Sequence, residues 1–330
     1  MSHFGIKVFT IVAVLAIGGL IIPSCNNSPD VDCFNEWDPK SLDPCNNTTY
    51  ISDNFTINIL PAEQLPYIAH AREYSPREFY DSDSVPMFFF KEEAYFHPIL
   101  IAQYSFEILN LYYKDEQRNH LSHLQTQVNR LLDEANMHHS ALYFPYNFDF
   151  TLHKCPDETL YSPWYSGMAQ GQVLSLFCRL FEITADSSLL DNSTMVFQSL
   201  INFKGDGKDP WVSCIDSTGH LWFEEYPIDP PAYTLNGMIF AIFGVYDYYR
   251  ITGDKYALSI LQASITTIKK NIHLYRNEGD ISYYCLKHKL KNLDYHNIHI
   301  GQLHSLYLIT GDEYFEQVSL QLQADTDNLD

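Results

Sequence analysis

The sequence predicts a mainly α-helical protein, an (α/α) toroid of about four helical hairpins with short β-hairpins in the loops between pairs. Three observations point there. First, a pair of helical segments recurs along the chain: His97 to Tyr113 with His120 to Ala135, Gly167 to Thr184 with Ser188 to Phe203, Leu235 to Thr252 with Tyr256 to Leu274, and Ile298 to Thr310 with Glu313 to Asp325. Second, three of the turns inside these pairs carry nearly the same words, Ile183-Thr-Ala-Asp186, Ile251-Thr-Gly-Asp254 and Ile309-Thr-Gly-Asp312. Gly after the last turn stops one helix and Asp caps the next. Third, the loops between pairs are long and concentrate aromatics, acids and amides, as inter-hairpin loops gathered at one mouth of a ring would.

Taken in order, the chain begins with an apolar run, Val8 to Ile22, after Lys7. Its length is that of a signal-peptide core and short for a membrane-spanning helix. The run ends as Ile22-Pro-Ser-Cys25, similar to a lipobox, so Cys25 is the expected lipidation site of an exported, membrane-anchored lipoprotein. An ordinary signal peptide or a signal anchor is the alternative, and each exports the body of the protein. Residues 26–60 are rich in Asn, Asp, Pro and Thr and read as a tether with at most a short strand, Thr56 to Leu60. Residues 61–330 form the toroid domain, opening with a short β-containing segment. There Asp81-Ser-Asp-Ser-Val-Pro86 is turn chemistry and Phe88-Phe-Phe90 a short buried strand.

The first helical segment starts with Pro98 and is apolar nearly all round, as an inner helix is. Its partner shows amphipathic spacing at Leu121, Leu124, Val128, Leu131 and Leu132. The inter-pair loops are residues 141–172, 211–233 and 279–302, the second a hairpin turning at Ser217-Thr-Gly219. That second loop holds Glu224, Glu225 and Tyr226, then three prolines, immediately before a helix. Proline fixes φ and donates no backbone hydrogen bond, so the loop is stiff and holds ionisable groups at fixed geometry, as proton transfer requires.

Composition narrows the function. Hydrophobic residues make up 46% of the 330, enough for a packed core, and aromatics 15%. A net charge of −21 repels nucleic acid, and no basic stripe interleaves with aromatics. The densest positive cluster, Lys287-His-Lys-Leu-Lys291, favours a local anion site. Of the seven cysteines no two form a C-x-x-C pair, and Cys33 and Cys45 are close enough for a local disulfide in an oxidising compartment. His296 and His299 have zinc-pair spacing but no third ligand at fitting distance in sequence, so no metal is expected. There is no nucleophile elbow, P-loop or dinucleotide fingerprint.

Four multi-residue words carry a resemblance: Trp164-Tyr-Ser-Gly-Met-Ala-Gln-Gly-Gln172, Trp222-Phe-Glu-Glu-Tyr-Pro227, Leu235-Asn-Gly237 and Asp294-Tyr-His-x-x-His-Ile-x-Gln302. In order and spacing, over roughly residues 80–320, the chain resembles the C-terminal catalytic domain of the D-glucuronyl C5-epimerases, which act on heparan-type polysaccharides. The resemblance implies an (α/α) toroid that inverts C5 of D-glucuronate to L-iduronate within a heparosan-like polymer, without a cofactor. It implies Glu225, Tyr226, Tyr284 and Tyr295 as the catalytic set, and Lys287, His288, His296, Trp164, Gln170, Gln172 and Asn236 as substrate-binding. One departure stands out: the family's Arg in its Tyr-x-Leu-Arg-His word is Lys287 here, a point charge without the bidentate fork. The animal enzymes also carry a larger β-rich portion before the helices.

C5 epimerisation needs a base on one face of the sugar, an acid on the other, and neutralisation of charge on the carboxylate. Free Tyr titrates near pH ~10 and free Glu near ~4.3, so a cation beside a Tyr and burial of the Glu are expected to bring them together. Lys287, His288, His296 and His299 are the candidates for that cation, with Glu225 and Tyr295 working from opposite faces while Tyr226 and Tyr284 assist. The rival readings are a polysaccharide lyase, which starts with the same deprotonation, and a surface lipoprotein that only binds glycans. A glycosidase using adjacent Glu224 and Glu225 fits less well, because neighbouring residues seldom flank one bond. The expected partner is an anionic uronate polymer. The membrane is reached through the N-terminus, nucleic acid is not a partner, and a homodimer is compatible with the sequence.

Overall fold

A computed structural model describes residues 44–67 and 74–327. The expected lipobox at Cys25, the signal segment and residues 26–43 of the tether lie outside the described residues. Among those described, no helix is long and apolar enough to cross a membrane.

The four hairpins are present: α1 (Pro98–Asp115) with α2 (Arg118–Glu134), α3 (Gly167–Thr184) with α4 (Ser187–Leu200), α5 (Leu235–Thr252) with α6 (Lys255–Asn271), and α7 (Leu293–Thr310) with α8 (Glu313–Thr326). The inner helices follow one another around the toroid: α3 packs against both α1 and α5, and α5 against α7. The closest approach is between α3 and α5, where Gly171 and Gly244 face each other and Ala241. A side chain at either glycine would overlap the opposite backbone. One continuous core runs through all four hairpins.

The repeated turn word has one physical meaning. Residues 185, 253 and 311 take the left-handed conformation (φ 55°, 64° and 66°) and end α3, α5 and α7. In each case the preceding Thr hydroxyl accepts from the backbone N–H of the following Asp, and that Asp caps the next helix. The first hairpin makes the same turn with other residues: Glu116 is left-handed and Asp115 accepts from Gln117 N. Its chemistry differs, which is why the word is absent there.

Short antiparallel hairpins decorate the loops: β1–β2 (Phe88–Phe90, Glu93–Tyr95), β3–β4 (Asn136–His138, Ala141–Tyr143), β5–β6 (Phe150–Thr151, Thr159–Leu160) and β7–β8 (Ser213–Ile215, Leu221–Phe223). β1 is a strand as expected but not a buried one, since Phe89 is exposed.

Several expectations are corrected. Residues 44–60 are not a free tether: Asn58 N donates to the Ile309 carbonyl (2.7 Å), Leu60 N to the Tyr246 hydroxyl (2.9 Å), and Phe55 and Leu60 are buried. The expected strand at Thr56 to Leu60 pairs with no strand among the described residues; the backbone N–H groups of Asn58 and Leu60 go instead to a carbonyl of α7 and a tyrosine hydroxyl of α5. Cys45 pairs with Cys214 (Cα–Cα 5.6 Å), not with Cys33. α4 ends at Leu200 rather than Phe203. Most consequential for the site, α7 begins at Leu293, five residues before the expected Ile298, because Asn292 accepts from Asp294 N and Tyr295 N. Tyr295 and His296 are therefore helical, not loop, residues.

Candidate active site

β8 delivers Glu224, Glu225 and Tyr226 straight from its last residue. Glu224 N donates to the Val212 carbonyl (2.8 Å), and Gly167 N at the start of α3 donates to the Glu224 carbonyl (2.7 Å), which fixes the segment between strand and helix. The chain then turns back through Pro230 and Pro231 to α5. Leu235 N there donates to the Tyr284 carbonyl (3.0 Å), bringing the 279–291 loop alongside. Tyr295, on the first turn of α7, closes the cluster.

Four groups from three separate segments therefore meet. The Tyr284 hydroxyl donates to Glu225 Oε2 (3.2 Å) and lies 3.5 Å from the Tyr226 hydroxyl, while the Tyr284 and Tyr295 rings are 4.5 Å apart. All four are at most 4% exposed. Gly237 makes room for the carboxylate: a Cβ there would lie 2.5 Å from Glu225 Oε2 and 2.6 Å from its Cβ. Phe150 stacks on Tyr226 (5.5 Å), with Trp164 beyond it at 6.1 Å.

Burial sets the electrostatics. It pushes Glu225 up to about 7, against hydrogen bonds from Tyr226 and Tyr284 that pull the other way. It pushes Glu224 up to about 8, against the backbone N–H groups of Tyr233 and Ala232. Tyr284 is pushed well above its ordinary value by burial, and further by Glu225 and the neighbouring phenols. The expectation that a cation lowers a site Tyr is thus corrected: in this arrangement the phenol is the proton donor and Glu225 the group balanced near neutrality.

The expected cations stand nearby but are engaged. Lys287 Nζ pairs with Glu158 Oε1 (2.7 Å) and donates to the Pro230 carbonyl (3.1 Å). His288 pairs with Glu158 through Nε2 (2.9 Å), and its Nδ1 faces Cys285 Sγ (3.4 Å).

The remaining expected binding residues separate. Trp164 borders a cleft of about 260 Å³ that also takes in Tyr161, Trp211, Asp209 and Pro227, and its indole N–H donates to the Phe148 carbonyl (2.9 Å). Gln170 accepts from Phe144 N and donates to the Leu142 carbonyl and Ser199, so it clamps the β3–β4 hairpin to α4. The His296 Nδ1 accepts from Ser282 N (2.9 Å) and its Nε2 donates to the Leu322 carbonyl (3.0 Å), tying the 279–291 loop to α8. Gln172 and Asn236 are buried; among the described residues the Gln172 amide and Asn236 Oδ1 meet no hydrogen-bond partner, and the Asn236 carbonyl accepts from Gln302 (2.9 Å).

Sequence reasoning missed His153 and Glu158. His153 is buried edge-on to the Tyr284 ring (5.8 Å) and 4.7 Å from the His288 ring. The signal available was a cluster of titratable residues, His153-Lys-Cys-Pro-Asp-Glu158, set between two aromatic words.

Comparison with known proteins places the chain in a family. The D-glucuronyl C5-epimerase C-terminus family matches residues 138–324, more than half of the chain. The chain is 27% identical over 175 residues to a D-glucuronyl C5-epimerase of Caenorhabditis elegans, covering 47% of this chain and 28% of that protein. It is 29% identical over 185 residues to an uncharacterized protein of Methanocaldococcus jannaschii, covering 56% of this chain and 57% of that one. The chain thus spans only part of the length of both relatives. In fold it is similar to cellobiose 2-epimerase from Bacillus thermoamylovorans, with a TM-score of 0.50 at 10% identity over 70% of this chain and 61% of that one.

Proposed function

Because the chain belongs to the D-glucuronyl C5-epimerase C-terminus family, we propose that it is a carbohydrate epimerase that inverts C5 of D-glucuronate residues within a heparosan-like polysaccharide. The observation that carries this reading is the buried hydrogen bond from Tyr284 to a Glu225 held near 7. A base for a weakly acidic C–H works best when its pKa lies near the operating pH.

In the proposed reaction the Glu225 carboxylate takes the C5 proton, and the electron pair left behind spreads into the sugar carboxylate. Tyr295 returns a proton from its O–H to the opposite face of C5. Tyr284, in contact with both, relays a proton between them and resets the pair, with Tyr226 extending the relay. Lys287 neutralises the sugar carboxylate, which takes over the position that Glu158 occupies on it. The polymer runs along the cleft beside Trp164, Tyr161 and Trp211, whose rings suit stacking on sugars. The Cys45–Cys214 disulfide supports an oxidising location, in keeping with export and anchoring through Cys25.

Incubation with unsulfated heparosan in D₂O, followed by NMR, tests the reading. Deuterium at C5 and new iduronate signals are expected, and Glu225→Gln, Tyr284→Phe and Tyr295→Phe are each expected to suppress them. Full exchange in all three variants would overturn the assignment. A product absorbing in the ultraviolet from a C4–C5 double bond would make the protein a lyase. Binding without exchange would leave only a glycan-holding role.

A further inference from the structure

Behind the Tyr284 phenol lies a group of side chains the proposed reaction does not use. Cys285 Sγ is 3.4 Å from His288 Nδ1 and 3.8 Å from His153 Nε2, and the ligand atoms of all three lie within 4.8 Å of one another. We infer that His153, Cys285 and His288 form a binding site for one divalent cation of the zinc class.

The geometry carries the inference. Tetrahedral zinc holds sulfur at ~2.3 Å and imidazole nitrogen at ~2.0–2.1 Å, which sets the sulfur and nitrogen ligands about 3.5 Å apart. The two observed separations bracket that value. The ligand type also fits, since a thiolate with two neutral imidazoles selects zinc over the oxygen-seeking magnesium and calcium.

A second, independent observation is the far side of His288, where Nε2 meets Glu158 at 2.9 Å. Metal-bound histidines characteristically give their other ring N–H to a carboxylate, which fixes the tautomer that leaves Nδ1 for the ion. Cys155 is the other sulfur near His288, but it is disulfide-bonded and supplies no ligand.

Cation binding converts the Cys285 thiol to thiolate and releases one proton to solvent. The three ligands leave a fourth position open. The ion would carry a net positive charge of one with its thiolate, on the His153 side of the Tyr284 ring. It would thereby supply the positive field there that Lys287 and His288, both held by Glu158, do not direct at the phenol. The binding itself does not rest on the epimerase reading, and its test involves no turnover.

The full chain is stripped with a chelator, re-equilibrated with zinc and then, separately, with cobalt. One zinc per chain is expected after buffer exchange, measured by elemental analysis. The cobalt form is expected to show a thiolate-to-metal charge-transfer band that imidazole and carboxylate ligands do not produce. Cys285→Ser abolishes that band, His153→Ala lowers zinc retention, and Glu158→Gln weakens zinc about 10- to 100-fold as an orienting residue. Absence of retained zinc, cobalt absorption without the charge-transfer band, or unchanged retention in these variants would overturn the site. Should the variants fail to fold, the wild-type cobalt spectrum decides alone.

Discussion

Replacing Glu225 by Gln is expected to stabilise the protein at alkaline pH while removing its activity. Burial raises Glu225 from an ordinary value of 4.5 to about 7. Between those values the folded chain holds more proton than the unfolded one, so stability falls as pH rises through the window and the full loss is reached above pH 7. Each unit corresponds to ~1.4 kcal/mol, so ionising Glu225 in place costs about 3 kcal/mol. Gln keeps an acceptor for the Tyr284 hydroxyl and never ionises. The variant should match the wild type near pH 4.5 and exceed it by up to about 3 kcal/mol at pH 8. At roughly 2 °C per kcal/mol for a chain of this size, that is a rise in Tm of about 6 °C. The Glu225 charge is one of the causes that raise Glu224, so removing it also eases ionisation of Glu224, which adds to the alkaline gain in the same direction. Paired thermal melts at pH 4.5, 6 and 8 provide the assay, with C5 exchange measured alongside. A difference in Tm that does not change with pH would refute the claim that the fold holds this carboxyl against its charge.

Gly237→Ala places a Cβ 2.5 Å from Glu225 Oε2, and displacing a reacting group by about 1 Å lowers turnover roughly 100-fold. Exchange kinetics should therefore collapse while circular dichroism stays unchanged. Arg179→Ala removes one of the two guanidinium partners of the fully buried Asp247 (2.8 Å); Asp247 keeps Arg250 (3.4 Å) and Ser175, so the loss in urea denaturation should be about 3 kcal/mol, the lower end of the cost of breaking a buried pair. Replacing Cys45 and Cys214 by Ala frees a loop with a sequence separation of 169, an expected loss of roughly 4–5 kcal/mol in urea denaturation; reducing agent, which also opens the disulfide at Cys155, should destabilise the wild type by at least as much. Asp254→Ala removes the α6 cap that accepts from Ala257 N (2.7 Å), and should lower stability by about 1 kcal/mol.

The helical hairpins were legible in the sequence because their causes are local. A left-handed residue, a capping Asp and an apolar stripe act within one or two turns, so Ile251-Thr-Gly-Asp254 specifies the same bend wherever it occurs. The acid-and-phenol set was legible for a different reason: Glu225, Tyr284 and Tyr295 sit in words that keep their order along the chain. What the chain alone left open depends on distance through space. Periodicity could not show that Gln170 and His296 spend their polar atoms on backbone carbonyls and amides, because those partners lie on other elements. Nor does any spacing place Glu158 on Lys287 and His288, 129 and 130 positions further along, or Cys45 on Cys214. The tertiary structure decided the protonation chemistry too. Only packing removes water from Glu225 and Tyr284 together, and that loss of solvation, not the identity of the residues, brings the carboxyl near neutrality and keeps the phenol protonated.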